Sequence, residues 1–292
     1  MKAPGRSPRP GLFKSAPIPT YQSCEVPKMN TLSRDDTRQL LNKVPEVTLW
    51  FWIIKILATT VGETAADFLN FNLNLGLTGT SLLMSGLLAA VLVMQVRRRA
   101  YVPWLYWIAV VLISIVGTLI SDNLVDNLGV SLETTTAVFA IALAATFIVW
   151  YRSEHTLSIH AITSRRRELF YWAAILFTFA LGTAGGDLAA EGLSLGYGTA
   201  AIGFAGAIAI VAAAHYVFKA NAVTTFWIAY ILTRPLGASL GDDLSQSAAD
   251  GGLGLGAVVT SLAFLSTIAG LVIYLTLTRK DVIGPAASDP VG

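Results

Sequence analysis

Hydrophobic and polar positions follow one another along this chain in long blocks. Between about residues 47 and 277, eight mostly apolar stretches are separated by short polar breaks. A helix that crosses the hydrocarbon core of a bilayer needs roughly 20 such residues. The pattern therefore predicts eight membrane-spanning helices, at 47–66, 77–96, 104–121, 133–150, 169–187, 197–218, 222–241 and 255–277.

Composition indicates the same class of protein. Hydrophobic residues make up 54% of the chain and charged residues only 13%, with a mean hydropathy of +0.62. A soluble domain could not cover so much apolar surface with polar side chains. We therefore predict an all-α membrane protein whose main partner is the lipid bilayer, with no nucleic-acid partner.

Basic residues lie on one side of the predicted helices. They follow the even-numbered stretches, at Arg97–Arg99, Arg165–Arg167, Lys219 and Arg279–Lys280. The breaks on the other side, 68–76, 122–132, 188–196 and 242–254, contain no Lys or Arg. The positive-inside rule then predicts that both termini lie in the cytoplasm, as in a protein of the inner membrane.

The odd-numbered stretches share a repeated pattern. Each carries a Trp, a Gly ten residues later and an Asp five residues after that. The Trp positions are Trp52, Trp107, Trp172 and Trp227; the Gly positions are Gly62, Gly117, Gly182 and Gly237; the Asp positions are Asp67, Asp122, Asp187 and Asp242. A Leu-Gly pair precedes each even stretch, at Leu75-Gly76, Leu128-Gly129, Leu195-Gly196 and Leu255-Gly256. Four copies of a two-helix unit follow from this register.

Each unit has two spans, so all four copies face the same way and are parallel repeats. The Trp residues are 55, 65 and 55 positions apart, which indicates a duplicated pair. If the repeats close into a ring, the four Asp residues lie at one depth around its axis. The predicted organisation is a disordered cytoplasmic extension at 1–45, a first repeat pair at 46–150, a basic cytoplasmic connection at 151–168, a second pair at 169–280 and a cytoplasmic tail at 281–292.

The N-terminal extension carries two further features. Cys24 is the single cysteine, so no disulfide can form within the chain. Met29 begins a more ordinary polar leader, which raises the hypothesis that the first 28 residues come from an upstream start codon. N-terminal sequencing that finds Met1 or Lys2 would contradict that hypothesis.

With its four tryptophan-marked units, the chain resembles a bacterial family of membrane-anchored proteins with four tandem two-helix repeats of unknown function. The resemblance covers about residues 47 to 283 and rests on Trp52, Trp107, Trp172 and Trp227. It implies eight spans, and it implies metal-cation export as a weak functional expectation.

The three repeated residue types predict different roles. Trp is expected to anchor helices at the headgroup level, and Gly to let helices approach closely or to mark a bend. An ionisable Asp near the end of a span is costly unless it faces protein or water. The aspartates are therefore either turn or capping residues, or the ligands of a carboxylate-lined cation site.

Further oxygen-bearing side chains favour the cation site. Glu63 directly follows Gly62, and additional acids and hydroxyls lie near the same depth: Asp126, Glu191, Asp243, Asp250, Thr60, Thr64, Thr118, Ser121, Thr183 and Ser239. Oxygen ligands suit Mg²⁺, Mn²⁺ or Ca²⁺ better than Zn²⁺ or Cu²⁺. Lys55 and Arg234 break the repeat. Lys55 lies eight residues before Glu63, and Arg234 lies eight residues before Asp242. We interpret the two basic residues either as partners that neutralise these buried carboxylates or as gating counter-charges.

These observations favour a small secondary transporter or channel for a divalent cation of the Mn, Mg or Ca type, with expected efflux and proton coupling. The proposed ligands are Asp67, Asp122, Asp187 and Asp242, assisted by Glu63. The alternative is a non-transporting membrane scaffold or sensor subunit with structural aspartates. No catalytic motif is present, so no enzyme activity is expected, and no cofactor is predicted beyond the cation as substrate.

Overall fold

The computed structural model describes residues 42–72 and 75–282, and within these ranges the chain forms eight long α-helices and no strand. They are α1 (Leu49–Asn72), α2 (Gly76–Arg97), α3 (Pro103–Asp122), α4 (Leu132–Glu154), α5 (Arg165–Asp187), α6 (Tyr197–Tyr216), α7 (Ala222–Ser245) and α8 (Ala257–Thr278). One π-helical turn follows α3 at Asn123–Asn127 and another follows α5 at Leu188–Gly192. The prediction of an all-α chain with eight helices is confirmed.

Seven of these helices, all except α7, are long and apolar enough to cross a membrane. The chain is therefore a multi-pass membrane protein. Helix α7 carries Arg234, Asp242 and Asp243 in addition to the internal Pro235. Its polar residues are accommodated because α7 lies among other helices, with Arg234 and Asp242 buried.

The odd-numbered helices form a closed inner ring. Helix α1 packs against α3 and α7, and α5 packs against the same two helices from the opposite side. Each even-numbered helix packs on the outside, against the odd helix of the next unit: α2 on α3, α4 on α5, α6 on α7, and α8 back on α1. More than half of the spanning part of α1, α3 and α5 is buried, against less than a third for the even helices.

The four repeat glycines close this ring. Each one lies against the residue seven positions after the Trp of the next unit, and the contacts are Gly62 with Ser114, Gly117 with Phe179, Gly182 with Arg234, and Gly237 with Thr59. A Cβ atom at any of these glycines would overlap the neighbouring helix. The glycines therefore permit close helix approach. None of the four glycines marks an unwound turn, because all four helices run unbroken through them.

The Leu-Gly pairs have a separate local cause. Gly76, Gly129, Gly196 and Gly256 all have positive φ, between 65° and 79°. A left-handed backbone is strained for residues with a Cβ atom, so glycine is the residue that fits this turn into each even helix.

The four units meet in the same way at every junction, so the grouping into two pairs rests on the sequence spacing alone. The packed part of the chain begins before the predicted boundary at residue 45, because residues 42–45 are buried. Lys43 Nζ donates to Glu168 Oε2 at 2.6 Å and to the Val96 carbonyl at 3.1 Å. Residues 1–41, with Cys24 and Met29, and residues 283–292 lie outside the described residues.

Candidate cation site on the axis of the helix ring

The two ends of the inner ring differ in chemistry. We call the end that carries Trp52, Trp107, Trp172 and Trp227 the Trp end, and the end that carries Asp67, Asp122, Asp187 and Asp242 the Asp end. Fifteen residues of helix separate the two sets in each repeat, which corresponds to about 22 Å at 1.5 Å per residue.

Aromatic side chains close the Trp end. The residues that directly precede the repeat tryptophans are Phe51, Tyr106, Tyr171 and Phe226. The first three are buried, and the hydroxyls of Tyr106 and Tyr171 form a 2.6 Å hydrogen bond across α3 and α5. This aromatic layer was not predicted, although the sequence has an aromatic residue directly before every repeat Trp.

The tryptophans themselves correct an expectation. Trp107, Trp172 and Trp227 are only 2–5% exposed and belong to the hydrophobic core, so they do not contact headgroups as interfacial anchors. Trp52 is partly buried. The indoles pack against the aromatic layer of neighbouring helices: the ring centroids are 5.7 Å apart for Phe51 and Trp107 and 5.6 Å apart for Tyr106 and Trp172. Their role is helix packing inside the protein.

Arg234 lies fully buried near the middle of the ring. Its Nη2 atom donates to Glu63 Oε2 at 2.8 Å, to Thr183 Oγ1 at 2.6 Å and also to Thr118 Oγ1. Its Nη1 atom donates to the Thr59 carbonyl at 3.3 Å. Arg234 therefore neutralises Glu63 of the first repeat, and not Asp242 two turns further along its own helix.

The oxygen atoms around Arg234 come from equivalent positions. Glu63, Thr118 and Thr183 each directly follow a repeat glycine, and the fourth equivalent, Ala238, has no oxygen in its side chain. Because the glycines bring the four helices together, the next residue of each helix reaches the same region. We call Glu63, Thr118 and Thr183 the oxygen cage.

Lys55 lies closer to the Trp end than the oxygen cage and is also fully buried. Its Nζ atom donates to Thr233 Oγ1 at 3.1 Å and lies 4.0 Å and 4.5 Å from the ring centroids of Tyr230 and Phe179. Within the described ranges no carboxylate forms an ion pair with it. The position of Lys55, eight residues before Glu63 on α1, suggested that Lys55 neutralises Glu63. The structure shows no such ion pair between the two side chains.

The four repeat aspartates surround the Asp end of the cage. Asp242 is buried, and Asp67, Asp122 and Asp187 are partly buried. Glu63 interacts electrostatically with all four of them. The Arg234 guanidinium attracts three, Asp122, Asp187 and Asp242.

The acidic side chains at the Asp end do not converge on one point in this conformation. Among the residues that the structure describes, no three His, Cys, Asp or Glu side chains are placed so that they could hold one metal ion. Asp126 and Glu191 are exposed, and the Glu191 carboxylate accepts a 2.8 Å hydrogen bond from the Tyr197 hydroxyl. Nothing is described for the Asp250 side chain.

The charges on the axis do not balance. Glu63 and the four repeat aspartates are five carboxyl groups, and Lys55 and Arg234 are two basic groups, so the carboxyl groups exceed the basic groups by three. Burial makes unbalanced charge costly, so such groups bind protons or cations. The arrangement can therefore accept positive charge at the Asp end.

This architecture defines a class: a multi-pass helical membrane protein in which four repeats form a closed ring around a polar, charged axis. The chain belongs to the family described as Repeat of Unknown Function (DUF347), which matches at residues 50–101, 105–156, 170–221 and 225–281. These four matches coincide with the four two-helix units, so the predicted family resemblance is confirmed. No curated protein and no solved structure matches the chain significantly.

Proposed function

We propose that this protein is a small secondary transporter for a divalent cation of the Mg, Mn or Ca type. The observation that carries the proposal is the position of Glu63, which lies buried in the closed helix ring, paired with Arg234 at 2.8 Å, four residues before the first of the four repeat aspartates. A ring of carboxylates at one depth attracts cations, and its all-oxygen chemistry suits these hard metal ions.

Charge balance supports coupling to protons. The carboxyl groups exceed the basic groups by three, and one divalent cation with one proton would neutralise this excess. A carrier that exchanged these species would move cations against their gradient by using a proton gradient. The π-helical turns that directly follow Asp122 and Asp187 support movement at this end, because π turns occur often at functional sites.

The proposed orientation places the Trp end in the cytoplasm of a bacterial inner membrane and the Asp end outside. It is supported by the Arg-rich connections, which all lie at the Trp end. Both termini are then cytoplasmic. With an acidic outer mouth and a basic inner rim, efflux is the proposed direction.

Transport by the purified protein in liposomes tests this proposal. Entry of Mn²⁺, Mg²⁺ or Ca²⁺ is followed with an encapsulated metal-sensitive dye, with and without a pH gradient. We expect flux above that of empty liposomes for at least one of the three ions. Single Asp→Asn variants at Asp67, Asp122, Asp187 and Asp242 are expected to lower the flux about tenfold or more, because each removes one of the charges that attract the cation.

Asp126→Asn is the matched control, since Asp126 lies at the same end but is exposed. Its flux is expected to equal that of the wild type. A quadruple Asp→Asn variant separates the two functional classes: it should fold and lose flux. Wild-type protein without flux would favour the non-transporting scaffold or sensor with structural aspartates. A quadruple variant that transports normally would exclude the four aspartates from the transport path.

The direction of transport is tested in cells. Deletion of an exporter raises the cellular content of its metal and lowers tolerance to it. Unchanged Mn, Mg and Ca contents in the deletion strain would contradict export.

A further inference from the structure

The oxygen cage has the composition of a cation site. It offers one carboxylate oxygen and two hydroxyl oxygens, from Glu63, Thr118 and Thr183, together with the backbone carbonyl of Thr59. Three helices of the inner ring supply these atoms from α1, α3 and α5. A positive group, the Arg234 guanidinium, lies among them and comes from the remaining helix, α7.

Pseudo-symmetry explains why the fourth helix differs. Three of the four positions after a repeat glycine carry an oxygen, and the fourth is Ala238. The missing ligand is on the same helix as Arg234, four residues further along. One repeat thus contributes a tethered cation where the other three contribute oxygen atoms.

We propose that the transported cation binds in this cage in place of the Arg234 Nη2 atom, and that Arg234 is an internal competitor that must leave for the cation to pass. This inference rests on the proposed transport function and assigns its central site. It differs from the ring of aspartates, which then serves as the entrance or exit of the path.

The surroundings of Arg234 favour its release. Its Nε atom is buried without a hydrogen-bond partner among the described residues, so the guanidinium is held only in part. Lys55 lies on the Trp-end side and repels it, while Asp122, Asp187 and Asp242 attract it toward the Asp end. If the guanidinium leaves the cage, these three aspartates at the Asp end are therefore its alternative partners.

Helix α7 is also weakened next to Arg234. Pro235 has no backbone N–H, so the carbonyl of Ile231 lacks its usual donor within the helix. A local shift of α7 at this point costs fewer helical hydrogen bonds than elsewhere. Arg234 can then move relative to the cage without unfolding its helix.

Binding without transport provides the first test. Thermal unfolding of the wild type, Arg234→Ala, Glu63→Gln and the double variant is measured in detergent, with added MnCl2, guanidinium chloride at millimolar concentration, or choline chloride at equal ionic strength. We expect Mn²⁺ and guanidinium each to raise the Tm of Arg234→Ala by about 3 °C or more. Choline, which is too large for the cage, should not.

The double variant Arg234→Ala/Glu63→Gln is the control, because it removes the carboxylate that would bind the added cation. The Tm of the double variant should rise no more with Mn²⁺ or guanidinium than it does with choline. Equal responses of the single and double variants to Mn²⁺ and guanidinium would overturn the proposal.

A second experiment keeps both charged residues and applies even if Arg234→Ala does not fold. Thr118→Val/Thr183→Val removes two cage oxygens with little change in volume. Its KM for Mn²⁺ flux is expected to rise about tenfold. Thr178→Val is the matched control, since Thr178 is buried on the same helix as Thr183 and its hydroxyl has no hydrogen-bond partner among the described residues. An unchanged KM in the double Val variant would contradict the cage as the site.

The two experiments also separate this inference from the proposed function. If Mn²⁺ stabilises Arg234→Ala but the wild type shows no flux, the cation site stands and the transport function fails. If the wild type transports Mn²⁺ but the cage variants behave like their controls, transport stands and the site lies elsewhere.

Discussion

The contact of Gly117 with α5 gives a quantitative prediction about the helix ring. A Cβ atom at Gly117 would lie 2.7 Å from Phe179 Cβ, 3.1 Å from the Ala180 backbone nitrogen and 3.2 Å from the Phe179 carbonyl carbon. Carbon atoms in contact are normally about 3.5–4.0 Å apart, so the overlap is close to 1 Å and involves backbone that cannot rotate away. Overpacking of this kind costs about 1–3 kcal/mol.

Gly203→Ala is the matched control for Gly117→Ala. Gly203 lies within α6 and has open space where a Cβ atom would be added. Both substitutions gain up to about 1 kcal/mol of helix propensity. The difference between their free energies of unfolding therefore measures the cost of the steric overlap alone. We expect the free energy of unfolding of Gly117→Ala to be lower than that of Gly203→Ala by about 1–3 kcal/mol.

Thermal unfolding in detergent, followed by the fluorescence of the buried tryptophans, measures this difference. At about 2–4 °C per kcal/mol for a chain of this size class, Gly117→Ala should unfold several degrees below Gly203→Ala. Gly186→Ala provides an intermediate case within the ring, because its added Cβ atom would make only ordinary contacts at 3.5–3.6 Å. If all three variants had the same Tm, the repeat glycines would not be the points of closest helix approach.

Three further predictions concern other buried charges and the orientation. Lys55→Met is expected to raise the free energy of unfolding by about 1 kcal/mol or more, because it removes a buried cation that has no carboxylate partner among the described residues, while it lowers cation flux. Lys43→Met is expected to lower the free energy of unfolding by about 3–5 kcal/mol, because it leaves Glu168 buried without its 2.6 Å ion pair. The double variant Lys43→Met/Glu168→Leu should recover most of that loss, because it removes the unpaired carboxylate. In a Cys24→Ser background, maleimide applied to intact cells should label Asp126→Cys, whereas Arg98→Cys should react only after permeabilisation.

Each of these predictions has an outcome that contradicts it. A clear loss of Tm in Lys55→Met would mean that the ammonium stabilises the ring through its contacts with Tyr230 and Phe179. A double variant at Lys43 and Glu168 as unstable as the single one would mean that packing, and not charge, is lost. Labelling of Arg98→Cys from outside would reverse the proposed orientation.

The eight helices and the four parallel repeats follow from the sequence alone. Apolar stretches of spanning length have few alternatives in a bilayer, because every backbone polar group must be satisfied within the segment. A period repeated four times identifies equivalent positions without any structure. The repeat glycines were correctly associated with close helix packing, since a missing side chain has a direct steric consequence.

Only the tertiary structure decided which of these residues meet. Arg234 and Glu63 are 171 positions apart and lie on helices of the last and first repeats, and they pair because the ring closes between α7 and α1. Spacing along one helix suggested different partners, Glu63 for Lys55 and Asp242 for Arg234. The sequence also placed the tryptophans at the headgroups, whereas the packing of neighbouring aromatic residues buries three of them. Local spacing fixes depth in the membrane, but the order and contacts of helices around an axis depend on interactions between distant segments.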